Sequence, residues 1–322
     1  MAFSNKFNDK IVLRGLFGMK RLGFSLFILF FLRFADACLA QVTYTKQDSI
    51  KVVTLLKEGK KKILASKNSG DTQSLMLFYG HKLIGVPYVA ATLEVNKEEK
   101  LVVNLRQLDC TTFVETVFAL ALTTEQGSEK WADFCANLKK IRYEDGVMKG
   151  YASRNHYFLW WVESNRKQGL ITTPMDEYAT KKKIARNTIY RKQTININWM
   201  TTHSSSYPML KGKPQLIREI SKHEKESVGK AMMYIPRQNL GLSKQKMKWV
   251  KDGDILAICT KKKGLDTTHI GIAEWGNDGK LHLLNASQVH KKVVLETLTL
   301  QDYMKKHPSQ LGVWVISPRL AK

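Results

Sequence analysis

The sequence predicts an α+β fold in which helices come first and strands cluster late. Apolar residues recur at helical spacing through the first two thirds of the chain, and short apolar or alternating runs dominate after residue 250. No Pro-, Gly- or Ser-rich linker divides residues 41–322. This order is typical of helices packed on an antiparallel sheet in a single elaborated domain.

The elements follow from these periodicities in chain order. Helices are predicted over 47–66, 71–84, 110–124, 128–140, 154–168 and 214–228. Strands are predicted over 101–104, 254–259, 269–274, 281–286, 292–297 and 312–317. The polar segment 172–213 reads as a long irregular insertion, which in other proteins often covers a binding site or moves.

The helix predicted from residue 110 begins with a lone cysteine. Asp109 is a good N-cap, and Cys110 follows it at the first helical turn. The helix dipole and the unpaired N–H groups there favour negative charge, so a thiol pKa below its usual value is expected. A free cysteine is also a common packing residue, so a catalytic interpretation needs a base and an orienting group.

Both groups are found near the C-terminus. The strand HIGIAEW and the strand KLHLLNAS flank the turn NDG, residues 277–279, which predicts a hairpin. His269 begins the first strand and Asn285 ends the second, so antiparallel pairing brings them together. An imidazole held by an amide oxygen is the base of nucleophilic cysteine catalysis. His203 and His282 are weaker alternatives for the base.

Four motifs together carry a family resemblance. GVPYVAATLE at 85–94, LDCTTFVE at 108–115, HIGI at 269–272 and LLNAS at 283–287 resemble the NlpC-type papain-like cell-wall hydrolases in order and spacing. The resemblance spans about residues 80–317. LDCTTFVETVFALAL and SRNHYFLWW, at 153–161, are most similar to the branch regarded as N-acetylmuramoyl-L-alanine amidase-like, formerly a domain of unknown function.

The resemblance implies a papain-like fold and a role for each matching residue. Cys110 would be the nucleophile, His269 the general base and acid, and Asn285 the orienting residue. Tyr88 would be a tyrosine on the substrate side of the thiol, with Asp109 beside it. The chain departs from the family pattern in two places. Ala90-Ala91 replaces the usual Gly-Gly, and Asn285 stands where histidine is commoner.

The substrate side also includes Arg154 and His156, in the motif SRNHYFLWW. They could bind a substrate carboxylate or sugar, with the neighbouring aromatic side chains as a stacking face. The alternative is that these aromatics form a helix core and that Arg154 merely starts the helix.

The reaction implied by the resemblance is thiol-dependent hydrolysis of the amide between N-acetylmuramic acid and L-alanine in murein or muropeptides. Two alternatives remain open: an endopeptidase cutting between D-glutamate and the diamino acid of the stem, and a non-catalytic wall-binding protein. We expect a monomer that uses no cofactor. The sequence contains neither a C-x-x-C nor an H-E-x-x-H motif, so we expect no metal site.

Residues 1–40 are typical of a secretory signal peptide. Lys20 and Arg21 precede an eleven-residue apolar core from Leu22 to Leu32, and small residues follow. The core is too short to span a membrane. Met19 is a candidate start. We expect cleavage before Gln41 and export to the periplasm, or else cleavage before Cys38 with a lipid anchor as the only membrane attachment.

The net charge indicates the kind of binding partner, and the cysteine count bears on the redox state of the thiols. The net charge is +24, and residues 1–40 hold six basic and two acidic side chains, so the remainder carries about +20. The chain has no nucleic-acid recognition motif, so we expect a polyanion such as the carboxylate-rich murein stem rather than nucleic acid. Cys135 and Cys259 could pair or stay reduced, and an odd thiol remains in either case.

Overall fold

The computed structural model describes residues 42–65, 72–176 and 189–319. The chain divides into two units, Met1–Thr43 and Tyr44–Lys322. Of the first unit, only strand β1, Val42–Thr43, is described. The predicted signal peptide therefore lies outside the described residues, and its function and cleavage remain predictions. No helix in the described ranges is long and apolar enough to cross a membrane.

The helices of the second unit confirm the six predicted ones, with bounds that differ by no more than four residues. In chain order, the helices in the described ranges are α1 (Lys46–Ala65), α2 (Thr72–Lys82), α3 (Cys110–Glu125), α4 (Trp131–Arg142), α5 (Phe158–Lys167), α6 (Trp199–Thr202), α7 (Pro214–Glu226) and α8 (Leu300–Lys305). Every residue of α3 from Thr112 to Thr124 is buried. This explains why its sequence is apolar on all sides rather than on one face.

Nine strands follow β1 in the described ranges, and all of them except β2 form one sheet with antiparallel pairing. They are β2 (Leu101–Val102), β3 (Ile171–Thr172), β4 (Arg191–Thr194), β5 (Ala231–Pro236), β6 (Ile255–Thr260), β7 (Thr267–Trp275), β8 (Leu281–Ser287), β9 (Lys292–Leu295) and β10 (Gln310–Pro318). The sheet order is β4-β5-β10-β6-β7-β8-β9, with β3 also paired to β10, and β2 lies outside this sheet. The predicted α+β class is confirmed.

Helix α5 begins four residues later than predicted. Its start was hard to predict because the residue that caps it is remote in sequence. The carboxylate of Asp266 accepts a hydrogen bond of 2.7 Å from the backbone N–H of Leu159. Asp266 lies just before β7 and is buried, so it joins the first turn of α5 to the strand that carries His269. A cap 107 residues away leaves no local signal at the helix start.

The predicted irregular insertion over 172–213 is wrong in part. Residues 191–194 form strand β4, which pairs with β5 from Arg191 opposite Tyr234 to Thr194 opposite Ala231. Because β4 is polar and mostly exposed, it shows no apolar alternation. Residues 177–188 of this segment lie outside the described ranges.

Helix α3 packs against the sheet and is joined to helix α4 by a buried ion pair. It packs on β7 and β8 and on the neighbouring helix α4. Glu115 of α3 and Arg142 of α4 form a buried ion pair with an Nε to Oε2 distance of 2.7 Å, and Arg142 Nη1 donates to the carbonyl of Val102 at 2.6 Å. These bonds satisfy the buried charges and hold in place the helix whose first residue is Cys110.

Candidate active site

Cys110 is the first residue of α3, and a capping box defines that helix start. The side chain of Asp109 accepts from the Thr112 N–H at 2.8 Å, and the Thr112 hydroxyl accepts from the Asp109 N–H at 2.9 Å. The predicted N-cap is confirmed. Taken as a whole residue, Cys110 is partly exposed, so it is not sealed in the interior.

His269 and Asn285 meet across neighbouring strands. Their strands pair with Ala273 opposite Leu283, and the imidazole Nε2 lies 2.9 Å from Asn285 Oδ1. Since an amide oxygen only accepts, Nε2 carries the proton and Nδ1 is left as the basic nitrogen. Gly271 keeps the two strands close, because a Cβ there would lie 2.8 Å from the carbonyl oxygen of Leu284.

The thiol lies beside the first residues of β7. The backbone N–H of Ile270, the residue after His269, is within hydrogen-bonding reach of the Cys110 sulfur. Cys110 and His269 are therefore brought to the same part of the site from positions far apart in sequence.

The ionisation of Cys110 differs from the sequence expectation. Burial of the thiol and the nearby Asp109 carboxylate raise its pKa to about 11. Hydrogen bonds from the backbone of Ile270 and from Thr111 oppose this shift without cancelling it. The expected pKa below the usual value is wrong, because desolvation at this packed helix start outweighs the helix dipole.

The imidazole of His269 is shifted toward its neutral form. Burial lowers its pKa, while the bond to Asn285 and the charges of Glu296 and Asp109 raise it, and His307 lowers it further. The net direction is downward from the usual value of 6.5. Near neutral pH the site therefore pairs a protonated thiol with a neutral imidazole that can accept its proton.

Tyr88 lies on the thiol side of the site. It is half-buried, its N–H donates to the carbonyl of Lys291 at 2.8 Å, and it bridges in parallel to Leu108. Burial, together with the neighbouring Cys110 and Asp109, which disfavour a second negative charge, raises its pKa to about 12. The phenol thus stays protonated near the sulfur, where it can donate a hydrogen bond, and its substrate role remains a prediction.

Arg154 is held in a buried ion cluster. Its Nε and Nη2 donate to the two carboxylate oxygens of Glu99 at 2.9 and 2.6 Å, and Nη1 donates to Glu94 at 2.6 Å. All three nitrogens of the Arg154 guanidinium thus donate to carboxylates of its own chain. This arrangement favours the structural alternative over recognition of a substrate carboxylate.

His156 also has a partner within the fold. Its Nε2 lies 2.7 Å from the carbonyl oxygen of Tyr151, and the two rings are 4.3 Å apart. Burial and the Arg154 charge lower its pKa to about 3, so the ring is neutral. The substrate roles of Arg154 and His156 remain predictions that these contacts do not favour.

The aromatic residues of SRNHYFLWW form helix core. Tyr157 donates to Glu224 at 2.7 Å, Trp160 donates to Ser227 at 2.8 Å, and Trp161 stacks on Phe158 with ring centroids 5.2 Å apart. All four aromatic side chains are buried. These aromatic residues therefore form part of the core, as the alternative interpretation of the motif predicted, and do not provide a stacking face for a substrate.

The weaker candidates for the base face other partners. His203 stacks on Trp199 at 3.8 Å, and His282 lies between the carbonyl of Glu296 and the carboxylate of Asp278. Cys135 and Cys259 are both buried thiols. Neither therefore forms a disulfide with the other.

Glu296 is a buried neighbour of the site that the sequence analysis missed. It follows β9, and its Oε1 accepts from Asn285 Nδ2 at 3.1 Å. The only sequence signal was an acidic residue ending the apolar run KVVL in a predicted strand.

Comparison with known proteins identifies the family. A sequence model of the N-acetylmuramoyl-L-alanine amidase-like family matches residues 79–313. The chain belongs to this family. The resemblance found in the sequence motifs is confirmed, and the matched range contains Cys110, His269 and Asn285 as well as Tyr88.

Solved structures resemble the amidase-like chain over most of its length. An N-acetylmuramoyl-L-alanine amidase from Bacteroides uniformis ATCC 8492 is 35% identical, with a TM-score of 0.69 over 77% of this chain and 99% of that one. A candidate xylanase from Bacteroides fragilis is 38% identical, with a TM-score of 0.66 over 75% and 99%. A Legionella pneumophila protein at 19% identity, with a TM-score of 0.61 over 87% and 98%, shows the fold alone. No functionally curated protein matches this chain.

Proposed function

We propose that this protein is a peptidoglycan amidase that hydrolyses the N-acetylmuramoyl-L-alanine bond through Cys110, His269 and Asn285. The observation that carries the proposal is the 2.9 Å contact between His269 Nε2 and Asn285 Oδ1, adjacent to the thiol at a capped helix start. Membership of the amidase-like family supports the substrate class.

In the first half of the reaction, the Cys110 sulfur attacks the lactyl carbonyl carbon of the muramoyl group. Nδ1 of His269 takes the thiol proton as the C–S bond forms, and the Cys110 backbone N–H stabilises the oxyanion. The C–N bond then breaks, and His269 passes its proton to the amino nitrogen of L-alanine. The stem peptide leaves, and the muramoyl group remains as a thioester on Cys110.

In the second half, a water molecule replaces the departed peptide. His269 removes a proton from the water as its oxygen attacks the thioester carbonyl. The C–S bond breaks, and the proton returns to the sulfur, which leaves a free lactyl carboxyl group. This cycle begins and ends with a neutral thiol and a neutral imidazole, the state that the burial of Cys110 and His269 favours.

An amide is a better substrate for this site than a glycosidic bond. Glycoside hydrolysis generally needs two carboxyl groups placed on either side of the bond. The carboxylate beside Cys110 is Asp109, which caps α3, and Glu296 lies behind Asn285. The xylanase description of the B. fragilis relative is therefore not carried over to this chain.

The endopeptidase and wall-binding alternatives lead to different products. An endopeptidase cutting after D-glutamate would use the same three side chains with a different substrate position. A non-catalytic wall-binding protein would retain binding without Cys110. We propose the amidase because both the family and the B. uniformis relative carry that name.

The proposed site of action is the periplasm. Lys20, Arg21 and the apolar core that follows are the basis for export, and the net charge of about +20 after residue 40 suits the carboxylates of murein stems. Fractionation of cells expressing the full chain, with the mature N-terminus identified by mass spectrometry, tests export. The same measurement distinguishes cleavage before Gln41 from lipid attachment at Cys38.

Mass spectrometry of digests of defined muropeptides tests the function. Released disaccharide with an intact stem peptide indicates the amidase, and a shortened stem indicates the endopeptidase. Cys110→Ala should abolish cleavage, whereas Cys135→Ala, which removes a buried thiol elsewhere, should retain it. Thermal unfolding of both variants checks that they fold. Cleavage that persists in folded Cys110→Ala would refute the thiol mechanism.

A further inference from the structure

We propose that Glu296 is a positioning residue of the catalytic centre, which orients Asn285 and stabilises the protonated form of His269 through it. This inference rests on the proposed roles of Cys110 and His269. Its basis is a continuous chain of contacts from the partly buried imidazole through the buried amide of Asn285 to a buried carboxylate.

The geometry sets the direction of the Asn285 amide. Its Nδ2 donates to Glu296 Oε1 at 3.1 Å and to the carbonyl oxygen of Leu283 at 3.3 Å, while Oδ1 faces His269 Nε2. A carboxylate and a carbonyl can only accept, so the amide nitrogen must face them. A flipped amide would present a donor to the donor nitrogen of His269.

Burial makes this arrangement rigid. Asn285 is fully buried, and the side chain of Glu296 is 3% exposed. The backbone of Glu296 is also bonded on both sides, because its N–H donates to the Leu283 carbonyl at 2.9 Å and its carbonyl lies 3.0 Å from His282 Nδ1. Such a residue holds one position while the imidazole changes charge.

The second oxygen of Glu296 has its own partner. Glu296 Oε2 lies 3.1 Å from Nε2 of His290, whose side chain is 49% exposed. A buried carboxylate with hydrogen-bonding partners on both oxygens is satisfied in its charged form. The negative charge therefore lies one amide away from the base, in a region that water does not screen well.

Charge at Glu296 favours the imidazolium that forms when Cys110 gives up its proton. The charged or titratable groups that influence His269 are Asp109 at the start of α3, Glu296 after β9, and His307 after α8. In the described ranges, those near Glu296 include His290 at its carboxylate, His282 at its backbone carbonyl, and Tyr303. Of these, Glu296 is the carboxylate joined to His269 through the amide that orients it.

The test replaces Glu296 by glutamine, which keeps the length of the side chain and an oxygen that can accept from Asn285, but removes the charge. We expect Glu296→Gln to lower kcat on muropeptides about tenfold, the effect of one partly screened charge, with KM nearly unchanged. The acid limb of the kcat/KM profile should move to lower pH, since the imidazolium loses its stabilising charge. Glu296→Asp, which restores the charge, should recover part of kcat.

Asp278→Asn is the matched control. It also removes one carboxylate charge, and its remaining Oδ1 can still accept from the Lys280 N–H as Asp278 does at 2.9 Å. We expect wild-type kcat and an unshifted acid limb. Equal shifts in Asp278→Asn and Glu296→Gln would mean a general charge effect and would overturn the proposal.

A spectroscopic arm separates this inference from the proposed function. NMR titration of the His269 ring in the full chain, assigned with His269→Gln, reports its pKa without any substrate. The pKa of His269 should fall in Glu296→Gln. An unchanged pKa in a folded variant overturns the role of Glu296, whereas wild-type protein that cleaves no muropeptide overturns the proposed function instead.

If Glu296→Gln fails to fold, the comparison of wild type with Glu296→Asp decides. A shift in kcat and in the titration of His269 supports the role of Glu296, and wild-type values in both contradict it.

Discussion

The sulfur of Cys110 faces the backbone N–H of Ile270, which directly follows His269 in strand β7. One strand thus supplies both the base and a hydrogen bond to the nucleophile. This contact favours the thiolate, but burial and Asp109 still hold the pKa of the thiol at about 11. The resting nucleophile is therefore the thiol.

Alkylation of Cys110 should consequently be slow near neutral pH. We expect its rate with iodoacetamide to rise about tenfold per pH unit between pH 7 and 10, because only the thiolate reacts and each unit increases its fraction tenfold. Site-resolved mass spectrometry separates Cys110 from the buried Cys135 and Cys259. A rate that is already at its plateau near pH 7 would show a preformed thiolate–imidazolium pair.

Removal of the amide that orients His269 should reduce catalysis without abolishing binding. Asn285→Ala takes away the acceptor at 2.9 Å from Nε2, so the imidazole can rotate and change tautomer. We expect kcat to fall on the order of 100-fold, within the range that positioned proton transfer contributes. KM should change little, since Asn285 is fully buried.

Asn104→Ala serves as the control for this variant. Asn104 accepts two exposed backbone N–H bonds in the loop after β2, from Arg106 at 3.0 Å and Gln107 at 3.1 Å. We expect its kcat to match wild type. Wild-type kcat in Asn285→Ala as well would remove Asn285 from the catalytic centre.

The helix start at Cys110 and the contact between His269 and Asn285 were predictable because their sequence signals are local. The Asp109 cap and the apolar periodicity of α3 lie within one segment, and a short hairpin turn brings His269 close to Asn285. Each of these features is defined by neighbours in sequence, so a single sequence suffices to place them.

The partners of Arg154 and of helix α5 could not be predicted in the same way. Glu99 and Glu94 reach Arg154 from 55 and 60 residues away, and Asp266 caps α5 from 107 residues away. Long-range pairing depends on the packed fold, which periodicity does not encode. The thiol pKa was mispredicted for the same reason, because desolvation depends on what packs around the sulfur.

Ala91 is a strained replacement for glycine. It has a φ of +58°, in the left-handed region that glycine adopts readily, and it stands where the family commonly has Gly-Gly. Ala91→Gly should stabilise the protein by about 0.5–1 kcal/mol, because relief of Cβ strain exceeds the extra entropy of the unfolded chain. Urea unfolding measures this difference.

Ala90→Gly provides the matched comparison one residue away. Ala90, unlike Ala91, does not have a positive φ. Glycine there adds unfolded-state entropy and relieves no strain, so we expect it to be neutral or destabilising by less than about 1 kcal/mol. A loss of stability in Ala91→Gly equal to that in Ala90→Gly would contradict the strain argument.

The partly buried ring of His156 makes the stability of the fold depend on pH. In the folded protein, burial and the charge of Arg154 lower its pKa to about 3, against 6.5 for the unfolded chain. Between these values the unfolded state binds a proton that the folded state does not. The stability contributed by neutral His156 is therefore complete above pH 6.5 and is lost as the pH falls toward 3.

Replacement of His156 by glutamine should flatten this dependence. The amide can still donate to the Tyr151 carbonyl, which His156 Nε2 contacts at 2.7 Å, but it does not titrate. We expect the free energy of unfolding of wild type to fall by up to about 1.4 kcal/mol per pH unit more steeply than that of His156→Gln between pH 6 and 4. Urea unfolding of both proteins at a series of pH values measures the two slopes. Equal slopes would mean that the His156 ring accepts a proton as readily in the folded protein as in the unfolded chain.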